Sequence, residues 1–403
     1  MLRTTFAALR VRNFRLYFVG QIVSVSGAWM QRVAQAWLVL DLTGSGTAVG
    51  GLTALQFLPL LLAAPFGGVI ADRVDKRRLL FLTQSLAGLT AATLGFVVFT
   101  DRVELWMVYA LALVLGIVGS FDNPARQSFV MEMVGRERVV NAVALNSVLI
   151  NAARIVGPAL AGVLIVSVGI AMCFFFNAVS YLALLSALAL MRTAELDRVQ
   201  PQQRRPGQLR AGFRYAVQDP LLRTVLVMSA VTGIFTYEFE VSLPLLAKFT
   251  FAGDADTFGL MFTAMGVGAV IGGLHTAARS DREPVVAARI AGVLGIGVAA
   301  VALAPNLVVT LLALTLVGGA GTSFLAFSNS LLQINARSEM RGRIMALRAV
   351  AFLGTRPFGA PLIGWIGEFI GPRQAVASGA IAALLVAAWG WRRLESLAAT
   401  TPD

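Results

Sequence analysis

Apolar runs long enough to cross a bilayer recur along the whole chain, separated by short polar turns. They fall at 15–40, 46–70, 79–99, 105–128, 140–167, 170–191, 221–248, 256–278, 285–303, 307–334, 343–367 and 372–391. A helix needs roughly 20 residues to span the hydrocarbon core. Twelve such runs predict an all-α polytopic membrane protein. Composition agrees: 57% of the 403 residues are hydrophobic and 13% are charged, against roughly a quarter charged in a soluble domain. The basic opening, Met1 to Arg15, does not read as a cleavable signal followed by a mature domain.

The polar intervals alternate in charge. One set, including Arg73, Lys76, Arg77 and Arg78, seven arginines from Arg192 to Arg223, and Arg337, Arg341 and Arg343, carries 26 basic residues, whereas the other set carries 3, Arg102, Lys248 and Arg373. The positive-inside rule puts both termini in the cytoplasm. The net charge of +12 is therefore topology and not a nucleic-acid footprint. Four arginines remain inside predicted spans: Arg32, Arg154, Arg348 and Arg356. Each would cost roughly 2.5–3.5 kcal/mol facing lipid, so each must face protein or water.

The longest polar stretch lies between spans 6 and 7. It divides the chain into an N-terminal six-helix half (1–191), a cytoplasmic linker (192–220) and a C-terminal six-helix half (221–403). The halves resemble each other. Arg154, Gly157 and Gly162 match Arg356, Gly359 and Gly364 at one constant offset, and Phe121, Asn123 and Gln127 match Phe327, Asn329 and Gln333 at a slightly larger one. A shared intramembrane arginine with the same glycine spacing carries more weight than matched leucines. Six spans separate the matches, so the repeat is parallel, a transporter arrangement for which the major facilitator superfamily is a known example.

At 100° per residue, Gln21, Ser24, Gln31, Arg32 and Gln35 share one third of span 1. Thr322, Asn329 and Gln333 do the same in span 10. These faces predict a polar cavity, to which Arg154 and Arg356 also contribute. The intramembrane acids are Asp122 in span 4 and Glu238 and Glu240 in span 7, and all three are candidates for carrying a proton. Asp122 lies four residues before Arg126, so a simple ion pair is the competing reading. On a regular helix Glu238 and Glu240 point about 160° apart and cannot share a cavity. Phase mildly favours Glu240, and one of the two is expected to compensate Arg32.

Gly68-Val69-Ile70-Ala71-Asp72-Arg73-Val74-Asp75-Lys76-Arg77-Arg78 joins spans 2 and 3. It resembles the signature of the major facilitator superfamily, with Asp75 in place of the usual second glycine and Lys76 in place of the usual first arginine. The resemblance implies a cytoplasmic gate built on Gly68, Asp72, Arg73 and Arg77. A solvated basic loop is the bland alternative, strongest for the lysine and the last arginines. Gly157-Pro158-Ala159-Leu160-Ala161-Gly162 in span 5 is similar to part of the glycine/proline motif of proton-driven antiporters. Ordinary close packing through Gly157, Pro158 and Gly162 is the competing reading. Pro124 to Val130, Asn141 to Ser147 and Arg341 to Met345 resemble the enterobactin-exporter and macrolide-efflux-like branch of drug:proton antiporters. That resemblance runs over nearly the whole chain. It implies the major facilitator fold, a central pathway lined by spans 1, 4, 7 and 10, and export of bulky amphipathic compounds.

Other chemistries find little support. The lone Cys173 and lone His275 rule out a disulfide framework and argue against a zinc site. Neither lysine follows a glycine-rich phosphate loop, and Gly266, Gly268 and the Gly318–Gly321 cluster read as helix-packing glycines. The sequence thus predicts a monomeric, proton-coupled antiporter in a bacterial plasma (inner) membrane. It would have no enzymatic activity, metal or organic cofactor, and no nucleic-acid partner. Its partners would be a small-molecule substrate (drug, siderophore or other secondary metabolite), protons and the lipid bilayer. Alternatives are a lysophospholipid or lipid mover of the same fold and a non-transporting membrane receptor.

Overall fold

The computed structural model describes residues 6–135, 137–197, 208–278 and 283–400, without the side chains of 64–72, 208–210 and 398–400. The centre of the expected linker, both chain ends, and Arg136, Arg279 and Arg282 of the basic intervals lie outside the described residues. So does the side chain of Asp72.

Every element among the described residues is helical. After a 3-10 turn, Ala7–Arg10, come six α-helices: α1 Arg12–Thr43, α2 Gly46–Arg73, α3 Lys76–Phe99, α4 Leu105–Val134, α5 Val139–Val168 and α6 Ile170–Ala189. A short helix, α7 Gln208–Gln218, falls in the expected linker. Then follow α8 Pro220–Val231, α9 Phe239–Leu245, α10 Ala255–Ala278, α11 Val285–Leu303, α12 Leu307–Asn335, α13 Arg341–Leu353, α14 Arg356–Phe369 and α15 Pro372–Thr400. Span 7 is composite: α8, a π turn Thr232–Thr236, α9 and a second π turn Leu246–Thr250. Span 11 is α13 and α14 in succession.

Ten stretches among the described residues are long and apolar enough to cross a membrane, which makes this an integral membrane protein. The two expected spans outside that set are the first and the eleventh. The first is a single 32-residue helix rich in glutamine; the eleventh is divided at Gly354-Thr355. The first carries Arg32 among its glutamines, and neither helix of the eleventh, 13 and 14 residues, is long enough to cross alone.

Local chemistry sets the helix ends. Asp75 accepts from the Arg78 N–H at the start of α3. Asp219 accepts from Leu221 and Leu222 at the start of α8, with Pro220 at the first position. Asn306 does the same for α12 through Val309. Asp75 has φ −62° and ψ 112°, a conformation open to any residue, so the turn needs no glycine there. The one-residue connection from α5 to α6 does need one: Gly169 has φ +91°.

The chain divides into two compact units, one of residues 1–42 and 58–203, the other of residues 43–57 and 204–403. In the first, α3 packs along α6 and α4. One core at its basic end gathers Phe14, Tyr17, Leu80, Phe129, Leu184 and Leu188. The buried pair Lys76–Glu132 (2.6 Å) lies at the same end, where Arg77 donates to the Leu188 carbonyl closing α6. In the second unit, α10 packs along α12 and α11 along α15. The glycines of α10 and α12 serve that packing: Gly268 lies on the Thr315 carbonyl and Gly318 on that of Met265.

Candidate functional site

The acidic side chains of span 7 lie where its helix breaks. Tyr237 N–H reaches back five residues to the Thr232 carbonyl, closing a π turn that leaves Tyr237 and Glu238 outside helical geometry (Glu238 φ −87°, ψ 42°). Such turns gather at functional sites. The break is held on three sides. Tyr237 donates to the Gly321 carbonyl of α12 (2.6 Å) and packs edge-on against Phe352 of α13, 4.8 Å between centroids. Thr236 donates to the Gly379 carbonyl of α15 (3.0 Å). On α14 a Cβ at Gly359 would fall on the Ile234 carbonyl oxygen, so only glycine permits the approach.

Gly359 therefore seats Arg356, three residues before it, against the break. Arg356 Nη2 lies 3.4 Å from Glu238 Oε2 and 3.5 Å from Glu240 Oε2. Its guanidinium also stacks over Phe57 of α2, 4.3 Å from the ring centroid. The 160° separation read from a regular helix does not hold: the π turn and the non-helical residues after it reset the phase, and both carboxylates face one cation. That cation is Arg356; the sequence had pointed to Arg32. Glu238 is 1% exposed, and its Oε1 has no hydrogen-bond partner. With both acids ionised the group carries a net charge of −1.

The equivalent crossing in the other unit is built differently. A Cβ at Gly157 of α5 would lie 2.5 Å from Trp29 Cβ, 2.7 Å from the Ser26 carbonyl oxygen and 2.9 Å from Met30 N, so α1 and α5 touch backbone to backbone. Trp29 then receives two guanidiniums, Arg32 at 4.8 Å and Arg154 at 5.1 Å from its ring. Arg32 is exposed and Arg154 half-buried.

The polar stripe on α1 is largely enclosed. Gln21, Ser24, Gln31 and Gln35 are all buried. Gln21 donates to Tyr17 Oη (2.6 Å), and Gln31 Oε1 accepts from Asn177 of α6. A helical wheel shows that these side chains share a face, not that a neighbouring helix covers it. Thr322, Asn329 and Gln333 on α12 are partly exposed. Asp122 is tied into a network: it accepts from Thr83 (2.8 Å), Gln84 (2.7 Å) and Arg126 (3.0 and 2.6 Å). A carboxylate so fully hydrogen-bonded fits the ion-pair reading. Gly157, Pro158 and Gly162 are buried in α5. Arg73 is exposed at the end of α2, and His275 is exposed in the last turn of α10.

Several contributors were not singled out in the sequence: Trp29, Phe57, Tyr237, Asn177 and Glu368. Glu368 Oε2 accepts from Ser45 Oγ (2.6 Å) and Thr47 N–H (2.9 Å) at the start of α2, where Gly46 and Gly364 bring α2 and α14 together. The small residues of both helices were a visible signal; their pairing was not.

Residues 3–399 match the model of a family described as transmembrane secretion effectors. Among characterised relatives, the chain is 25% identical to the multidrug efflux pump Tap of Mycolicibacterium fortuitum, over 88% of this chain and 89% of that one. It is 25% identical to the enterobactin exporter EntS of Salmonella typhi, over 89% and 86%. With the staphyloferrin A transporter of Staphylococcus aureus the identity is also 25%, over 64% of this chain and 65% of that protein's length. The fold is shared with a bacterial homologue of the human lysosomal transporter Spinster in its inward-facing, unoccupied conformation (TM-score 0.76, 13% identity, 98% of each chain). It is shared also with a bacterial homologue of the iron transporter ferroportin (TM-score 0.73, 15% identity, 95% of this chain and 98% of that one).

Proposed function

The chain belongs to the transmembrane secretion effector family of major facilitator transporters, and we propose that it is a proton-coupled exporter of amphipathic small molecules working by alternating access. The observation that carries the coupling is the buried group at the break in span 7: two carboxylates facing one guanidinium, one of them with an oxygen that has no partner. A buried charge that is not fully paired is costly, and a proton removes that cost. Glu238 is therefore the residue that loads and releases the proton, and Glu240 the standing partner of Arg356. The relatives' described activities, export of a siderophore and efflux of drugs, support outward transport of a bulky organic compound.

The 26-to-3 basic asymmetry supports cytoplasmic termini; in this reading the protein works as a monomer of two six-helix halves in a bacterial inner membrane. Asp72, in the signature between α2 and α3, would hold the cytoplasmic gate closed in one state of the cycle. The experiment is uptake into energised inverted membrane vesicles, screened with a dye and siderophore panel. Accumulation that an uncoupler abolishes is the expected result. Accumulation indifferent to the uncoupler contradicts proton coupling, and no accumulation of any compound contradicts export.

A further inference from the structure

The crossing of α1 and α5 holds a group of side chains that proton coupling leaves unused. Arg154 sits at the middle of a 30-residue helix, and Arg32 lies well inside the 32-residue α1. Cations at that depth are too costly to face lipid, so the partial exposure of both is exposure to water. They converge on one indole, at 4.8 and 5.1 Å. The ring quadrupole attracts both guanidiniums, which brings two positive charges to one indole. The arrangement concentrates positive charge beside a flat apolar surface and holds it there by the Gly157 contact that fixes Trp29.

Guanidinium chemistry narrows what such a place recognises. Stacking engages the face of the group, while its five N–H donors lie in its plane and point outward from the rim. A planar oxyanion takes two such donors side by side. The indole offers apolar area to whatever is attached. We propose that Trp29, Arg32 and Arg154 form an anion site for the exported compound, which belongs to the class of amphipathic organic anions: a carboxylate or similar planar oxyanion beside an aromatic or apolar body. This rests on the export reading above and narrows it, since lipophilic cations are disfavoured at such a site.

Three probes of nearly equal shape test it: 4-octylbenzoate, 4-octylbenzamide and 4-octylbenzamidinium. Calorimetric titration of the full-length protein in lipid nanodiscs should show the benzoate binding roughly tenfold tighter than the amide, with the amidinium weakest. Arg32→Gln or Arg154→Gln should bring the benzoate to the level of the amide. Arg→Lys at either position should keep part of the preference, and Trp29→Leu should weaken all three probes together. The proposal is overturned if wild-type protein shows no preference for the anion, or if both Gln variants keep it. Should the Gln variants fail to fold, the wild-type series and the Lys variants decide. The vesicle assay separates this idea from the one beneath it. Uphill movement of the amide or amidinium but not the benzoate leaves export standing and removes the anion site. Arginine-dependent benzoate binding without uphill movement of any probe does the reverse.

Discussion

The two halves of the chain build the same crossing and fill it with different side chains. In one, Arg154 and Gly157 of α5 meet a continuous α1 that supplies Trp29 and Arg32. In the other, Arg356 and Gly359 of α14 meet a broken span 7 that supplies Glu238 and Glu240. Arg32 and Glu238 even stand at the offset that relates Phe121 to Phe327. The repeat thus conserves a scaffold, an arginine one turn before a glycine that lets two backbones touch, and varies the residue facing it. A second cation and an indole suit an organic anion, whereas a surplus carboxylate suits a proton. The helix break is what allows two acids to reach one arginine.

This comparison predicts unequal costs for equivalent substitutions. Arg356→Ala leaves the buried Glu238 and the partly buried Glu240 without this cation and should destabilise the protein by about 3–5 kcal/mol. Arg154→Ala, at a half-buried position, should cost less than about 1 kcal/mol. Thermal unfolding in detergent reads both, and adding Glu238→Gln to Arg356→Ala should recover part of the loss. Equal costs at the two arginines would erase the distinction between the crossings. The glycines, by contrast, should behave alike. Gly157→Ala and Gly359→Ala each force apart two backbones and should each cost about 1–3 kcal/mol, measured in the same way. A neutral result at either would mean that its crossing is not tight. The smallest effect belongs to the far end of α14. Glu368→Ala removes the acceptor for Ser45 and Thr47 and should cost less than about 1 kcal/mol, visible as faster amide exchange confined to the first turn of α2.

Much of this was legible in the sequence because bilayer physics writes itself in long runs: span lengths, the basic asymmetry, and the Arg154/Gly157 and Arg356/Gly359 repeat. What was not legible depended on distant partners or on irregular backbone. Thr232-Gly233-Ile234-Phe235-Thr236 contains no proline to announce a break, so a regular 100° step was carried past the π turn and separated Glu238 from Glu240. The stripe of glutamines on α1 was visible, but its cover, Asn177 on α6, is 146 residues from Gln31. Trp29 and Phe57 look like ordinary apolar positions until an arginine from another helix stacks on them. Asp122 shows the opposite case, since its partner four residues on was visible and the structure adds Thr83 and Gln84.

The central claim is that the exchanged proton is carried at the C-terminal crossing, by Glu238. Glu238→Gln keeps the shape of the side chain but cannot release a proton. The measurement is transport by this variant in proteoliposomes, comparing accumulation driven by an imposed pH gradient with substrate counterflow at equal pH. The account predicts that accumulation is lost while counterflow persists, because exchange needs no net proton movement. A Glu238→Gln protein that still concentrates substrate in response to the pH gradient would contradict it.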